Sequence, residues 1–231
     1  MANFQTHFNV ASFASALGAG TMYYSGLVDK PEATLLFAGG IIGGVLPDID
    51  SDNSTPTKIM QYIFANLISF FVLFKYIGLY PIGNLILIWI GSFIVTMGLF
   101  HLFNKFTSHR GMFHSIPAGF IFWFSFSLIF YYLFNYNYLV SWYFGMFVFF
   151  GYIVHLTLDE IYSVDLSGVR MKKSFGTALK LFNKDYKTVA LFYSLAILLF
   201  VLMPHKHQFF NSFTKFDIIT TYNKLLRKYN R

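Results

Sequence analysis

Seven apolar segments, separated by short polar breaks, dominate the pattern of hydrophobic and polar positions. A helix that crosses a bilayer needs about 20 largely apolar residues, within a range of roughly 17–25. Most of the segments reach that length, but the second stops at Pro47 and is too short to span the hydrocarbon alone. We therefore predict an all-α transmembrane helical bundle with six or seven spans, over residues 8–28, 33–47, 59–79, 82–103, 116–135, 138–160 and 188–204.

Composition and charge agree with a membrane protein. Hydrophobic residues make up 56% of the 231 positions and charged residues only 12%, far from the balance of a soluble domain. The chain has no cysteine, which excludes disulfides and thiolate metal sites. The formal net charge is +7, but the basic residues lie between or after the apolar segments, where they anchor proteins to anionic lipid. We therefore expect no nucleic-acid partner.

Ionisable residues cluster at the ends of several spans. The clusters are Thr6-His7, the run Pro47 to Ser51, the run His109 to Ser115, and His155 with Asp159. Counting crossings from His7 brings all four clusters to the same side of the membrane. Ionisable groups at membrane depth are costly and mark functional sites by default. The sequence thus predicts one composite site near one membrane face, and the basic short loops on that side favour the cytoplasmic face.

The residue types in these clusters are those of a metal site. His155 and Asp159 are four apart, so a helix places them on one face, where they can bind one metal ion or form a simple hydrogen-bonded pair. Asp48 and Asp50 follow a helix end, where carboxylates are disfavoured without a compensating cation, although a solvated turn also accommodates them. The carboxylates of Asp48, Asp50 and Asp159, together with four neutral histidines, give a ligand charge of −3. Two divalent ions would leave a net charge of +1, which attracts a phosphoryl group. This favours a dinuclear hydrolytic site.

Arginine and lysine provide candidate substrate contacts. Arg110 is the natural phosphate partner because guanidinium binds two oxygens at once; the alternative is an interfacial anchor. A second group of candidates for holding a lipid head group consists of Ser115, Arg170, Lys172 and Lys173. Three other histidines are expected outside the site: His101 as a packed, hydrogen-bonded residue, and His205 and His207 at the interface.

Four motifs follow one another over about residues 5 to 170: His7, Leu46-Pro47-Asp48-Ile49-Asp50-Ser51, His109-Arg110-Gly111 with His114-Ser115, and Gly151-Tyr152 before His155 and Asp159. In these motifs and their order the chain resembles the YdjM-like family of bacterial inner-membrane proteins, which are regarded as metal-dependent hydrolases. It implies a multi-pass enzyme with a site distantly similar to zinc-dependent phospholipase C. The metal ligands that it implies are His7, Asp48, Asp50, His109, His114, His155 and Asp159. Phe113 replaces the small hydroxyl residue expected before His114.

We therefore predict a multi-pass inner-membrane hydrolase that cleaves a phosphoester of a phospholipid or other lipid phosphate. Two divalent ions, zinc or else Mn²⁺ or Mg²⁺, are expected, with Asp50 orienting or deprotonating the attacking water. The alternative is a divalent-metal transporter or a metal-binding membrane protein; an intramembrane protease of the His-Glu-x-x-His type is excluded because that motif is absent. The expected parts are a hydrolase core (1–170), a basic loop with the last span (171–204) and a basic amphipathic tail suited to the interface (205–231). The sequence leaves the oligomeric state open.

Overall fold

The structure is a computed structural model that describes residues 3–50, 55–106, 112–165, 170–171, 179–183 and 185–214. Its contacts divide the chain into two compact units. The first unit comprises Met1–Pro47 and His114–Arg231, and the second comprises Asp48–Phe113. Each is described separately below.

Eight α-helices make up most of the described residues, and seven of them overlap the seven apolar segments predicted from the sequence. The all-helical fold class is thereby confirmed; the described part also contains a small antiparallel pair of two-residue strands, Val164–Asp165 and Arg170–Met171. The helices are α1 (Phe4–Tyr24), α2 (Lys30–Val45), α3 (Thr55–Tyr76), α4 (Ile82–Phe106), α5 (Ile116–Leu128), α6 (Tyr138–Ile161), α7 (Tyr186–Leu202) and α8 (Lys206–Thr214).

Local sequence signals explain where several helices begin. Asn3 caps α1, and Asp29 forms a reciprocal capping box with Glu32 at the start of α2. Side chains of Ser115 and Asn137 cap α5 and α6 in the same way. Each cap satisfies backbone N–H groups that have no partner within the helix, which matters most where the surroundings are apolar. A π-helical turn over Ile129–Leu133 extends α5, so this apolar segment ends close to its predicted limit.

Within the described residues, three helical stretches are long and apolar enough to cross a membrane. They are Ile82–Leu102, Ile116–Leu133 and Tyr138–Ile161. A fourth candidate is formed by α7 and α8 together, which meet at a bend of 85°.

Glycines in α2 bring three helices of the first unit into close contact. A Cβ atom at Gly43 would collide with the carbonyl of Val148 in α6, and one at Gly44 would collide with Ala11 in α1. Gly151 of α6 likewise faces the backbone of Gly40. The first two helices therefore pack closely, and α6 joins them as a third member. Such small-residue contacts allow helices to approach without a hydrophobic driving force.

The second unit is built on the antiparallel pair α3 and α4. Trp89 of α4 lies between aromatic rings, with its centroid 5.8 Å from that of Phe70 and 6.1 Å from that of Phe93. The side facing away from α3 is open, and Leu87 and Ile94 are more than 60% exposed there. This degree of apolar exposure suits a helix surrounded by lipid.

Candidate metal centre

His7 enters the first unit from the first turn of α1. It is buried, with 1% of its surface exposed, and it heads a buried stripe of small residues at four-residue intervals: Ala11, Ser15 and Ala19. Side chains four apart lie on one helix face, so the face that packs against the α2 glycines is the face that carries His7. The packing of α1 thus determines where this imidazole lies.

His155 and Asp159 lie near the end of α6 and meet His7. Nε2 of His7 is 3.3 Å from Oδ1 of Asp159, and Nε2 of His155 is 3.7 Å from Oδ2 of the same carboxylate. The two imidazoles stack, with centroids 3.7 Å apart and ring planes 12° apart. His155 is fully buried and Asp159 is 4% exposed. The three side chains form one buried cluster, called here the His7 cluster.

A backbone hydrogen bond orients the ring of His155. Its Nδ1 lies 2.8 Å from the carbonyl oxygen of Gly44, near the end of α2. A carbonyl oxygen only accepts, so Nδ1 carries the proton and donates it. In neutral imidazole the lone pair then belongs to Nε2, which faces Asp159. This is the arrangement by which metal-binding histidines are held in proteins.

The His7 cluster has donor atoms available to a cation. Within the part of the chain that the structure describes, neither Nδ1 of His7 nor Oδ1 of Asp159 has a hydrogen-bond partner, so the 3.3 Å contact is not aligned as a hydrogen bond. A buried carboxylate needs a compensating positive charge. Two donors bound to one ion at about 2.1 Å lie roughly 3.4 Å apart in tetrahedral geometry, close to the separations of 3.3 Å and 3.7 Å given above.

Each residue of the cluster can offer one donor atom so that all three atoms lie within 4.8 Å of one another. Imidazole nitrogen with carboxylate oxygen is a donor set that suits zinc and other divalent first-row metals. The residues present therefore fit a divalent metal ion.

His114 adds a second imidazole beside His155. The centroids of the two rings are 6.0 Å apart, at an interplanar angle of 69°, and His114 is 1% exposed. Its backbone is held by the start of α5: Ser115 is the N-cap, and the N–H of Ile116 donates to the carbonyl of Lys180 at 3.2 Å. The buried Ser115 hydroxyl accepts from the N–H of Ala118, a capping role that explains this serine without a ligand. The predicted substrate contact of Ser115 stays a prediction.

The structure thus brings together four of the seven predicted ligands: His7, His114, His155 and Asp159. Asp48 is half-buried in a 3₁₀ turn, Leu46–Asp50, that directly follows α2 along the chain, and it is the first residue of the second unit. The other predicted site residues lie outside the described residues, either wholly or in their side chains: Asp50, His109, Arg110, Arg170, Lys172 and Lys173.

The three histidines expected outside the site are all exposed. His101, predicted to be packed, is exposed on α4, so that prediction is wrong; an apolar segment with no polar neighbour does not reveal which of its faces is covered. His205 and His207 are exposed near the start of α8. The ring of His205 lies 4.6 Å from that of Tyr138.

Comparison with known proteins places the chain in a family. The profile of the YdjM inner membrane protein family matches residues 1–210. The chain belongs to this family. No curated protein and no solved structure matches it.

The match to the YdjM family covers more of the chain than the motifs that first indicated it. It continues past residue 170, where the motifs end, through α7 and into α8. The family is one of inner membrane proteins, in agreement with the long apolar helices, so the predicted inner-membrane localisation is confirmed.

Proposed function

We propose that this protein is a metal-dependent hydrolase of the inner membrane that cleaves a phosphoester of a phospholipid or other lipid phosphate. The observation that carries the proposal is the His7 cluster, in which two stacked imidazoles and a carboxylate meet in a buried site. His-Asp pairs that serve only a structural role are common. Here α1 adds His7 as a third ionisable residue, and the carbonyl of Gly44 holds the ring of His155. Both features favour metal binding.

The residues proposed to hold metal are those of the cluster together with His114. Asp48, Asp50 and His109 stay predicted ligands, and with them the ligand charge requires two divalent ions for a net positive site. When bound, such ions supply Lewis-acid polarisation of the phosphoryl group and bring the pKa of a coordinated water towards 7. Asp50 is proposed to orient or deprotonate that water.

The location of the cluster supports a lipid substrate. His7 is in the first turn of α1, and His155 and Asp159 are in the last two turns of α6. The ionisable groups therefore concentrate at one end of these helices, where a head group can reach them. In the proposed topology six or seven helices cross the membrane and the site lies near one face. A transport path would need such groups along the length of a helix.

Hydrolysis that depends on metal is the direct test of this proposal. The detergent-purified protein is expected to release inorganic phosphate or a phosphorylated head group from lipid phosphates. Incubation with a chelator should abolish the release, and added Zn²⁺ or Mn²⁺ should restore it. Release that is unaffected by the chelator would contradict metal-dependent chemistry. Metal uptake into proteoliposomes without any lipid hydrolysis would favour the transporter.

Arg110 is expected to bind the phosphoryl group by two parallel charge-assisted hydrogen bonds. Lysine keeps the charge but lacks the planar fork of guanidinium. Arg110→Lys should therefore lower kcat/KM by an amount that corresponds to a loss of about 2–3 kcal/mol in transition-state stabilisation, while the metal content stays unchanged. Arg227→Lys, in the C-terminal tail, is the matched control and should retain full activity. A fully active Arg110→Lys variant would leave Arg110 only a role as a membrane anchor, and metal loss in this variant would make it a support of the site.

A further inference from the structure

The chain turns sharply after α7, at Met203, Pro204 and His205. Between α7 and α8 the direction changes by 85°, and His205 adopts a positive φ of 50° at the turn. The ammonium group of Lys206 donates to the carbonyl oxygens of Val201 at 2.8 Å and Met203 at 3.0 Å. Lys206 therefore satisfies carbonyls that the end of α7 leaves free, and its positive charge lies at the negative end of the helix. The turn is a built feature of the fold.

Contacts with the beginning of α6 hold α8 in this direction. Nε1 of Trp142 donates to the carbonyl of Pro204 at 2.8 Å, and the ring of Trp142 stacks on that of Phe209 at 4.3 Å. The hydroxyl of Tyr143 donates to Oγ of Ser212 at 2.7 Å. These contacts bury Phe209 and Ser212, so α8 lies crosswise at the end of the bundle where α6 begins.

The remaining surface of α8 is amphipathic. Phe210 and Phe213 are 54% and 38% exposed. On a helical projection Gln208 and Asn211 lie on the side away from these two rings, His207 lies between, and all three are exposed. A short helix with exposed aromatic rings on one side and polar groups on the other is suited to lie in the plane of a membrane interface.

Tyrosines surround the same end of the bundle. Tyr132 and Tyr136 are 64% and 44% exposed near the α5–α6 connection, and the ring of His205 packs against Tyr138. Tyrosine is enriched where hydrocarbon meets water because its ring is apolar and its hydroxyl is polar. The sequence after Thr214 adds Lys215, Lys224, Arg227, Lys228 and Arg231 against the single acid Asp217, and such basic side chains bind the phosphate groups of lipids.

We propose that α8 and these tyrosines form a lipid-binding surface in the membrane interface, on the face opposite the His7 cluster. Along α6 the rise from Trp142 to His155 is about 20 Å, and to Asp159 about 25 Å. The hydrocarbon core is about 30 Å thick, so α8 in one interface places the cluster near the boundary of the other leaflet. The surface is a membrane anchor that sets the depth of the site.

Single cysteines test this placement directly, because the chain has none of its own. Gln208→Cys reports the polar side of α8, Phe210→Cys its exposed apolar side, and Tyr162→Cys the cluster end of α6, where Tyr162 is 45% exposed. A membrane-impermeant maleimide, applied to right-side-out and to inverted vesicles, should label Gln208→Cys and Tyr162→Cys from opposite sides. A fluorophore at Phe210→Cys should be quenched by lipids brominated high in the acyl chain and protected from aqueous iodide.

Two results would overturn the proposal: labelling of both polar positions from the same side, or iodide quenching at Phe210→Cys as strong as at Gln208→Cys. Asn211→Cys provides a second position on the polar side if Gln208→Cys fails to insert. The placement of α8 does not depend on catalysis. A protein that hydrolyses no lipid but shows the expected labelling would contradict the proposed function and leave this surface intact.

Discussion

Asp159→Asn is expected to abolish lipid-phosphate hydrolysis while the protein still inserts and folds. Asparagine keeps the size of the side chain but removes the charge that a buried cation requires, and its NH₂ group would point donors at a metal site. Even outer-shell partners of metal ligands are worth about 10–100-fold in affinity or activity, so loss of a direct ligand should lower kcat/KM by more than about 100-fold. His155→Ala should have the same effect, because it removes the lone pair on Nε2. Steady-state kinetics in detergent, with insertion verified separately, measure this.

His101→Ala is the matched control for the histidine variant. His101 lies in another apolar helix but is exposed and outside the cluster, so at least most of the activity should remain. Equal losses in His101→Ala and His155→Ala would show that the separation of ligand from non-ligand histidines is wrong. Full activity in Asp159→Asn would show that this carboxylate is only a structural partner of the two imidazoles.

Gly43→Ala is expected to destabilise the first unit and to disturb the His7 cluster at a distance. The added methyl group would meet the backbone of Val148, which cannot rotate away as a side chain can. Overpacking of this kind typically costs 1–3 kcal/mol, and a backbone obstacle places Gly43→Ala at about 3 kcal/mol. Because α2 also supplies the carbonyl that holds His155, metal affinity should fall as well. Thermal unfolding in detergent and metal titration measure the two effects.

Gly20→Ala is the matched control for helix packing. Gly20 lies in α1, and nothing approaches the position of an added Cβ within 4 Å. Alanine is favoured over glycine in a helix by about 1 kcal/mol, so this variant should be slightly more stable than the wild type. Equal unfolding temperatures for Gly43→Ala and the wild type would contradict the close approach of α2 and α6.

Much of the fold follows from local sequence signals. The length of each apolar run predicts a helix, and polar caps such as Asn3 and Asp29 mark where helices begin. The alternation of crossings also predicts that His7, His155 and Asp159 lie at the same end, because each span reverses the direction of the chain. The four-residue spacing of His155 and Asp159 places both side chains on one face before any tertiary contact is known.

Other features depend on tertiary packing and have no local signal. The carbonyl of Gly44 becomes a partner of His155 only because α2 and α6 touch, and Gly151 indicates only that a close helix contact is possible there. The stacking of His7 on His155 depends on the angle between helices. The exposure of His101 depends on which face of α4 is covered by α3, and hydropathy alone does not determine that.

Metal content per chain tests the central claim most directly. The protein should be expressed in metal-replete medium, purified in detergent without chelators, and analysed by elemental mass spectrometry beside Asp159→Asn. We predict about two divalent ions per wild-type chain, because the ligand charge is balanced by two ions and paired ions stabilise both the attacking and the leaving oxygen in phosphoester hydrolysis. The variant should contain clearly less metal. No stoichiometric metal in the wild type, or equal metal in both proteins, would contradict a metal centre built on the His7 cluster.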